Sequence, residues 1–210
     1  MKIFNWIFKW FSRTKFWLWF SNTILSGTSY RIKGHPEFPM EKYEEEILPA
    51  LEASDLEGRY MYAFTCADTK SLTKLLITLV SGSFFSHAGL IYPDHRHLVH
   101  MLGKGITQNH ILNELKEIDN FAIMRFPLTD AEYVEYQRRV EKYIRLKVPY
   151  DFQQELDDGV TKMYCSELVW KVGRGLVDNE NFKPREELGR LIFEPDDVYK
   201  NGEIIFEHRI

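Results

Sequence analysis

Two runs of strand-forming residues, Phe84–Tyr92 and Arg96–Leu102, stand on either side of Pro93-Asp94-His95. So short a break folds the second run back beside the first as an antiparallel hairpin. Other segments fit around it. Arg59–Thr65, aromatic and alternating, reads as a strand, as do Asn120–Phe126 and Glu203–Glu207. Gly103-Lys104-Gly105 breaks the pattern after the hairpin. Helical signals lie elsewhere. Asp68 or Thr69 can cap a helix whose Leu72, Leu75, Leu76 and Leu79 share a face, and Ile111–Ile118 reads as a short helix. Thr129 with Glu132 forms a capping box for a helix to about Leu146, closed by Pro149. Met163–Val177 is helical in its later part, with Leu168, Val169, Val172 and Leu176 at core spacing. Glu41–Glu57 is acidic and helical in pieces, interrupted at Pro49. Hairpin strands with segregated helices predict an α+β fold, an antiparallel sheet packed with helices.

At 210 residues the chain suits one compact unit with an appendage, and its 44% hydrophobic content can fill a core. The balance of 27 Lys and Arg against 31 Asp and Glu excludes nucleic-acid binding by bulk charge. Only two cysteines are present, Cys66 and Cys165, too few for a disulfide-stapled secreted scaffold. The charge is unevenly spread: residues 1–34 carry six bases and no acid, leaving 21 bases against 31 acids in the rest. Four of the five Trp, namely Trp6, Trp10, Trp17 and Trp19, and five Phe fall in the first 20 positions. At 100° per residue Lys2, Asn5, Lys9, Ser12 and Arg13 share one face, opposite Ile3, Phe4, Ile7, Phe8, Trp10 and Phe11. The longest uncharged run, Phe16–Tyr30, has 15 residues, short of the about 20 needed to span a bilayer. Aromatic rings at the headgroup level and bases facing anionic lipid predict a peripheral or monotopic membrane anchor, on the cytoplasmic face. A helix packed on the domain or on a partner subunit is the other reading of this segment. The expected organisation is a basic aromatic membrane-associating segment (1–34), a linker and acidic helix (35–54) and a main folded domain (55–210).

Cys165 falls where the last long helix begins, and unpaired N–H groups there stabilise a thiolate and receive an oxyanion. Glu167 is close enough to oppose that charge. A thiol nucleophile needs a base, and His87 lies on a strand in an apolar run, with His100 on the next. If Pro93 and Asp94 are the centre of a two-residue turn, Tyr92 pairs with His95 and His87 stands opposite His100. His100 then orients His87 and fixes its tautomer, whereas a one-residue slip puts the rings on opposite faces. Rival sites are weaker. Asp94, His95, His97 and His100 do not converge on one strand face as a metal site requires, and read as exposed hairpin residues. Cys66 reads as a buried thiol, and Tyr150-Asp151 with Asp157-Asp158 as cleft residues.

The order His87, His100, Cys165 comes with SHAGL around the first, LVHMLGKGI around the second and YDFQQELDDGVTKMYCSELVW through the third. With Glu194-Pro195-Asp196-Asp197-Val198-Tyr199 as a closing segment, this resembles the circularly permuted NlpC-type papain-like hydrolases, particularly the YiiX-like group. It is also similar to the wider set that includes lecithin:retinol acyltransferase. The resemblance covers about Asp55 to Phe206 and implies a permuted papain-like fold. It also implies Cys165 as nucleophile, His87 as base and His100 as the polar residue orienting the base. A Glu is common at that third position, so His100 is a departure, and the N-terminal aromatic segment has no counterpart. The expected function is a membrane-associated cysteine hydrolase or acyltransferase acting on an amide, ester or thioester through an acyl-enzyme. Its substrate is expected to be a peptide, lipid-linked or acyl compound, with no metal or organic cofactor. The alternatives are an inactive papain-like binding module at the membrane, or a protease that processes a membrane protein.

Overall fold

The computed structural model describes residues 38–67, 84–116, 118, 120–151, 156, 161–187 and 189–209. The aromatic segment 1–34, the helix expected to follow Asp68 or Thr69, and Asp157-Asp158 lie outside the described residues. Helix α1 is built from Met40–Lys42, a π-type turn Tyr43–Ile47 and Leu48–Glu57. Strand β1 (Arg59–Ala67) follows, then β2 (His87–Ile91), β3 (His97–Leu102), β4 (Gly105–His110) and a short helix α2 (Ile111–Leu115). Then come β5 (Asn120–Leu128), α3 (Asp130–Leu146), α4 (Cys165–Gly173), the small hairpin β6 (Arg185–Glu187) and β7 (Arg190–Ile192), α5 (Pro195–Asn201) and β8 (Glu203–His208).

Six strands form one antiparallel sheet in the order β4-β3-β2-β1-β5-β8. Side chains alternate across a strand, and β1 at the centre is buried on both sides. Its Met61, Ala63 and Ala67 pack on one face with α3, α4 and α5, and its Tyr62, Phe64 and Cys66 pack on the other with α1 and α2. The α+β arrangement read from the hairpin signals is borne out.

Part of the segment read as linker and acidic helix lies on the sheet. Phe38, Tyr43, Ile47, Leu48 and Leu51 are buried in the second face, while Glu44, Glu45 and Glu46 face outward. Pro49, lacking an N–H, sits in the first turn of the Leu48–Glu57 stretch, where that donor is spare. The capping box of α3 forms as the sequence indicates. Thr129 N–H donates to the Glu132 carboxylate at 2.7 Å and Glu132 N–H donates back to the Thr129 hydroxyl at 3.3 Å. Among the described residues no helix is long and apolar enough to cross a membrane.

Candidate active site

Cys165 is the first residue of α4, following an extended Tyr164 (φ −102°, ψ 176°) whose N–H donates to the Glu167 carboxylate at 3.2 Å. The opening N–H groups of a helix have no partner within it. Those of Cys165 and Ser166 face the sulfur, joined by the N–H of Ala88 from β2. Both flanks of the cysteine grip one residue. The Ser166 hydroxyl donates to the Phe193 carbonyl at 2.6 Å, and the Phe193 N–H donates to the Tyr164 hydroxyl at 3.2 Å. Glu167 is fully buried, but Lys171 one turn along matches its charge at 2.9 Å. Its carboxylate is therefore not a bare charge set against the sulfur.

Burial, with Cys165 only 7% exposed, pushes the thiol above its ordinary value. The N–H groups of Ala88, Ser166 and Cys165 and the Ser166 hydroxyl pull it down without cancelling that rise. The stabilisation expected of a helix start is present, and desolvation outweighs it.

His87 opens β2, half-buried, and His100 is fully buried in the middle of β3. They are not directly opposite, as the two-residue turn predicted. Gly89 faces His100. The loop holds four residues, Pro93 to Arg96, because Tyr92 N–H pairs with the His97 carbonyl at 2.7 Å and His95 takes a left-handed conformation (φ 56°). The register moves by two, and an even shift keeps side chains on their face. His87 becomes the diagonal neighbour of His100, with Nε2 of His87 3.0 Å from Nδ1 of His100.

Beyond His100 lie two residues that sequence reasoning missed. Its Nε2 is 3.4 Å from the Asn109 amide nitrogen and 3.8 Å from the Glu114 carboxylate, and Asn109 donates to Glu114 at 2.7 Å. A signal existed. Taking Gly103-Lys104 as a tight turn pairs His100 with Thr107, which puts Asn109 on the same face of the next strand.

The strand expected from Phe84 begins only at His87, because the Phe84 and Phe85 N–H groups leave the ladder for the Asp196 carboxylate, at 3.2 and 3.0 Å. Glu194 and Asp197 of the same segment pair with Arg185. Cys66 is buried opposite His87, and neither cysteine is in a disulfide. Asp151 is buried and accepts from Lys162 at 3.0 Å.

The hairpin histidines also separate. His95, expected to be exposed, is buried and its Nε2 meets Asp55 at 2.8 Å, while His97 pairs with Asp94 at 2.5 Å. Among the described residues no three His, Cys, Asp or Glu side chains converge as metal ligands.

Residues 63–208 match the family described as permuted papain-like amidase enzyme, YaeF/YiiX, C92 family. The chain belongs to this family. The YaeF/YiiX match spans His87, His100, Asn109, Glu114, Cys165 and the 194–199 segment, and begins after α1. The fold is also similar to the crystal structure of the metalloprotein yiiX from Escherichia coli O157:H7, with a TM-score of 0.56 and 15% identity. That similarity covers 71% of this chain and 96% of that one. Among curated proteins none matches the sequence. The solved relative is called a metalloprotein, but the described donors of this chain disperse to separate partners and do not make a site with three convergent ligands.

Proposed function

We propose that this YaeF/YiiX amidase is a cysteine hydrolase working at a membrane surface, with Cys165 as nucleophile, His87 as base and His100 orienting the base. One observation carries the reading: the sulfur of Cys165 sits against the N–H of Ala88, the residue after His87, while His87 is bonded to His100 at 3.0 Å. Because burial raises the thiol, His87 takes the proton as the sulfur attacks. The S–C bond forms and the carbonyl electron pair moves to oxygen, where the N–H groups at the start of α4 receive it. The tetrahedral intermediate collapses, the C–N bond breaks, and the departing amine takes the proton from His87. Water, deprotonated by His87, then attacks the thioester carbonyl, the C–S bond breaks, and the departing sulfur takes the proton back from His87. An ester or thioester substrate follows the same sequence, and a different acceptor in place of water makes the enzyme an acyltransferase.

The basic aromatic segment 1–34 supports a membrane-surface role with a peptide, lipid-linked or acyl substrate. Flotation with anionic liposomes is expected for the full chain and lost in a chain starting at Lys33; equal flotation of the two removes the membrane reading.

The catalytic reading is tested on acylated amide, ester and thioester reporters, with products identified by mass. Cys165→Ala and His87→Ala are each expected to lower turnover at least about 1,000-fold with the fold intact by circular dichroism. Turnover that survives Cys165→Ala excludes the mechanism.

A further inference from the structure

We propose that Glu114 is a further positioning residue, the carboxylate that ends a His87–His100–Glu114 relay and holds His87 in the tautomer able to take a proton from Cys165. This rests on the reading of Cys165 as nucleophile and His87 as base.

A neutral imidazole has one N–H and one lone pair. With Nε2 of His87 engaged by His100 at 3.0 Å, the thiol proton must go to Nδ1, so Nε2 has to carry the ring hydrogen. Nδ1 of His100 must then accept it, which puts the hydrogen of neutral His100 on Nε2. His100 is fully buried, and its Nε2 faces two groups of opposite polarity. The Asn109 amide nitrogen at 3.4 Å is a donor, and its 2.7 Å bond to Glu114 fixes it in that orientation; turning the amide over sets its oxygen against the carboxylate. The Glu114 oxygen, 3.8 Å away, is at ion-pair rather than hydrogen-bond distance, and it is the acceptor that closes on Nε2 when that nitrogen carries the hydrogen. If Asn109 wins, every hydrogen in the chain reverses and His87 presents an N–H to the sulfur, a dead tautomer. Charge decides the contest, because a carboxylate binds an N–H about twice as strongly as a neutral group does. The same charge stabilises the imidazolium that forms when His87 takes the proton.

The relay therefore needs a carboxylate facing Nε2 of His100, which a purely structural role for Glu114 does not. The probe is iodoacetamide alkylation of Cys165 in the full chain, followed by peptide mass across about pH 6 to 9, a range in which histidine and thiol titrate. Glu114→Gln, nearly isosteric, and Glu114→Ala are expected to react about tenfold more slowly than the parent at neutral pH, approaching His87→Ala. Their His87-dependent inflection is expected at lower pH, since a negative charge near the imidazole pair has been removed. Asn109→Asp added to Glu114→Ala is expected to restore the rate by returning a carboxylate to Nε2 of His100. Parent-like rate and inflection in Glu114→Gln overturn the relay while leaving the His87 assignment in place. A double variant as slow as Glu114→Ala alone also overturns it. Parent-like alkylation in His87→Ala overturns the base assignment and the relay together.

Discussion

Gly89 has no side chain because His100 and its strand occupy the space one needs. A Cβ there lies 2.9 Å from Cβ of His100 and 3.1 Å from the carbonyl oxygen of Val99, closer than packed atoms tolerate. The backbone of β3 cannot move aside without breaking the Gly89–His100 pairing, so the strain falls on His100 and through it on the 3.0 Å bond to His87. Gly89→Ala is expected to cost about 1–3 kcal/mol of stability, the usual range for overpacking. With His87 as the proposed base, turnover should fall well beyond that, by about 100-fold, because displacement of such a group by about 1 Å is that costly. Urea unfolding and turnover of the same preparation check this, and turnover within twofold of the parent refutes it. His87, His100 and Cys165 were all visible in the sequence as chemistry-bearing residues on the right kinds of element. The pairing of the imidazoles was legible for a reason that survives the wrong turn: face depends on parity, so a register displaced by two still puts both rings together. Asn109 was legible only through the turn at Gly103-Lys104, because β4 is a polar edge strand whose Thr107, Gln108, Asn109 and His110 lack the apolar alternation that marks a strand, and Glu114 lay in an expected helix whose placement beside His100 no local pattern shows.

At the scale of elements, the stretch Phe193–Asp196 ties the two halves of the site together. Phe193 holds Tyr164 and Ser166, on either side of Cys165, and Asp196 three residues later holds the N–H groups of Phe84 and Phe85, just before His87. The start of α4 and the start of β2 are thus fastened to one short segment, which Glu194 and Asp197 anchor through Arg185. Hydrogen bonds to a charged acceptor contribute about 1.5–3 kcal/mol each when buried, and less here because Asp196 is only partly covered. Asp196→Ala is expected to lower the melting temperature by a few degrees and turnover by about tenfold, with KM nearly unchanged. A loss confined to KM points instead to a substrate contact and removes the positioning role. In the sequence this segment was only a resemblance to a family's closing motif. Its job was illegible because it depends on partners about 110 and 30 residues away. The capped helix α3 and the central strands β1 and β5 were legible because capping and apolar patterning are local. The three-residue strands β6 and β7 are too short to show a period.

Across the whole molecule, both faces of the sheet store phenols away from water. Tyr43 and Tyr62 lie on the α1 face, and Tyr136 in the opposite core. Tyr43 donates to the His95 carbonyl, Tyr62 to Asp55 at 2.6 Å, and Tyr136 to the Ile91 carbonyl at 3.0 Å. Tyr164, beside Cys165, is also buried. Burial raises all four above the ordinary phenol value, chiefly by desolvating the phenolate. A group whose folded pKa is raised holds its proton longer in the native chain than in the unfolded one. Its contribution is complete below the unfolded value of about 10 and is lost as pH climbs beyond it. Each such phenol removes about 1.4 kcal/mol of stability per pH unit above that point, so four together remove more than 5 kcal/mol per unit, against a total of about 5–15 kcal/mol. Because the four are spread over both faces, the loss cannot be absorbed by opening one edge. The chain is expected to unfold cooperatively between about pH 11 and 12, with tyrosinate absorbance rising in the same step as the loss of far-ultraviolet circular dichroism. Phenols that titrate smoothly from about pH 10 while the dichroism holds contradict this, and show that water reaches the rings without unfolding.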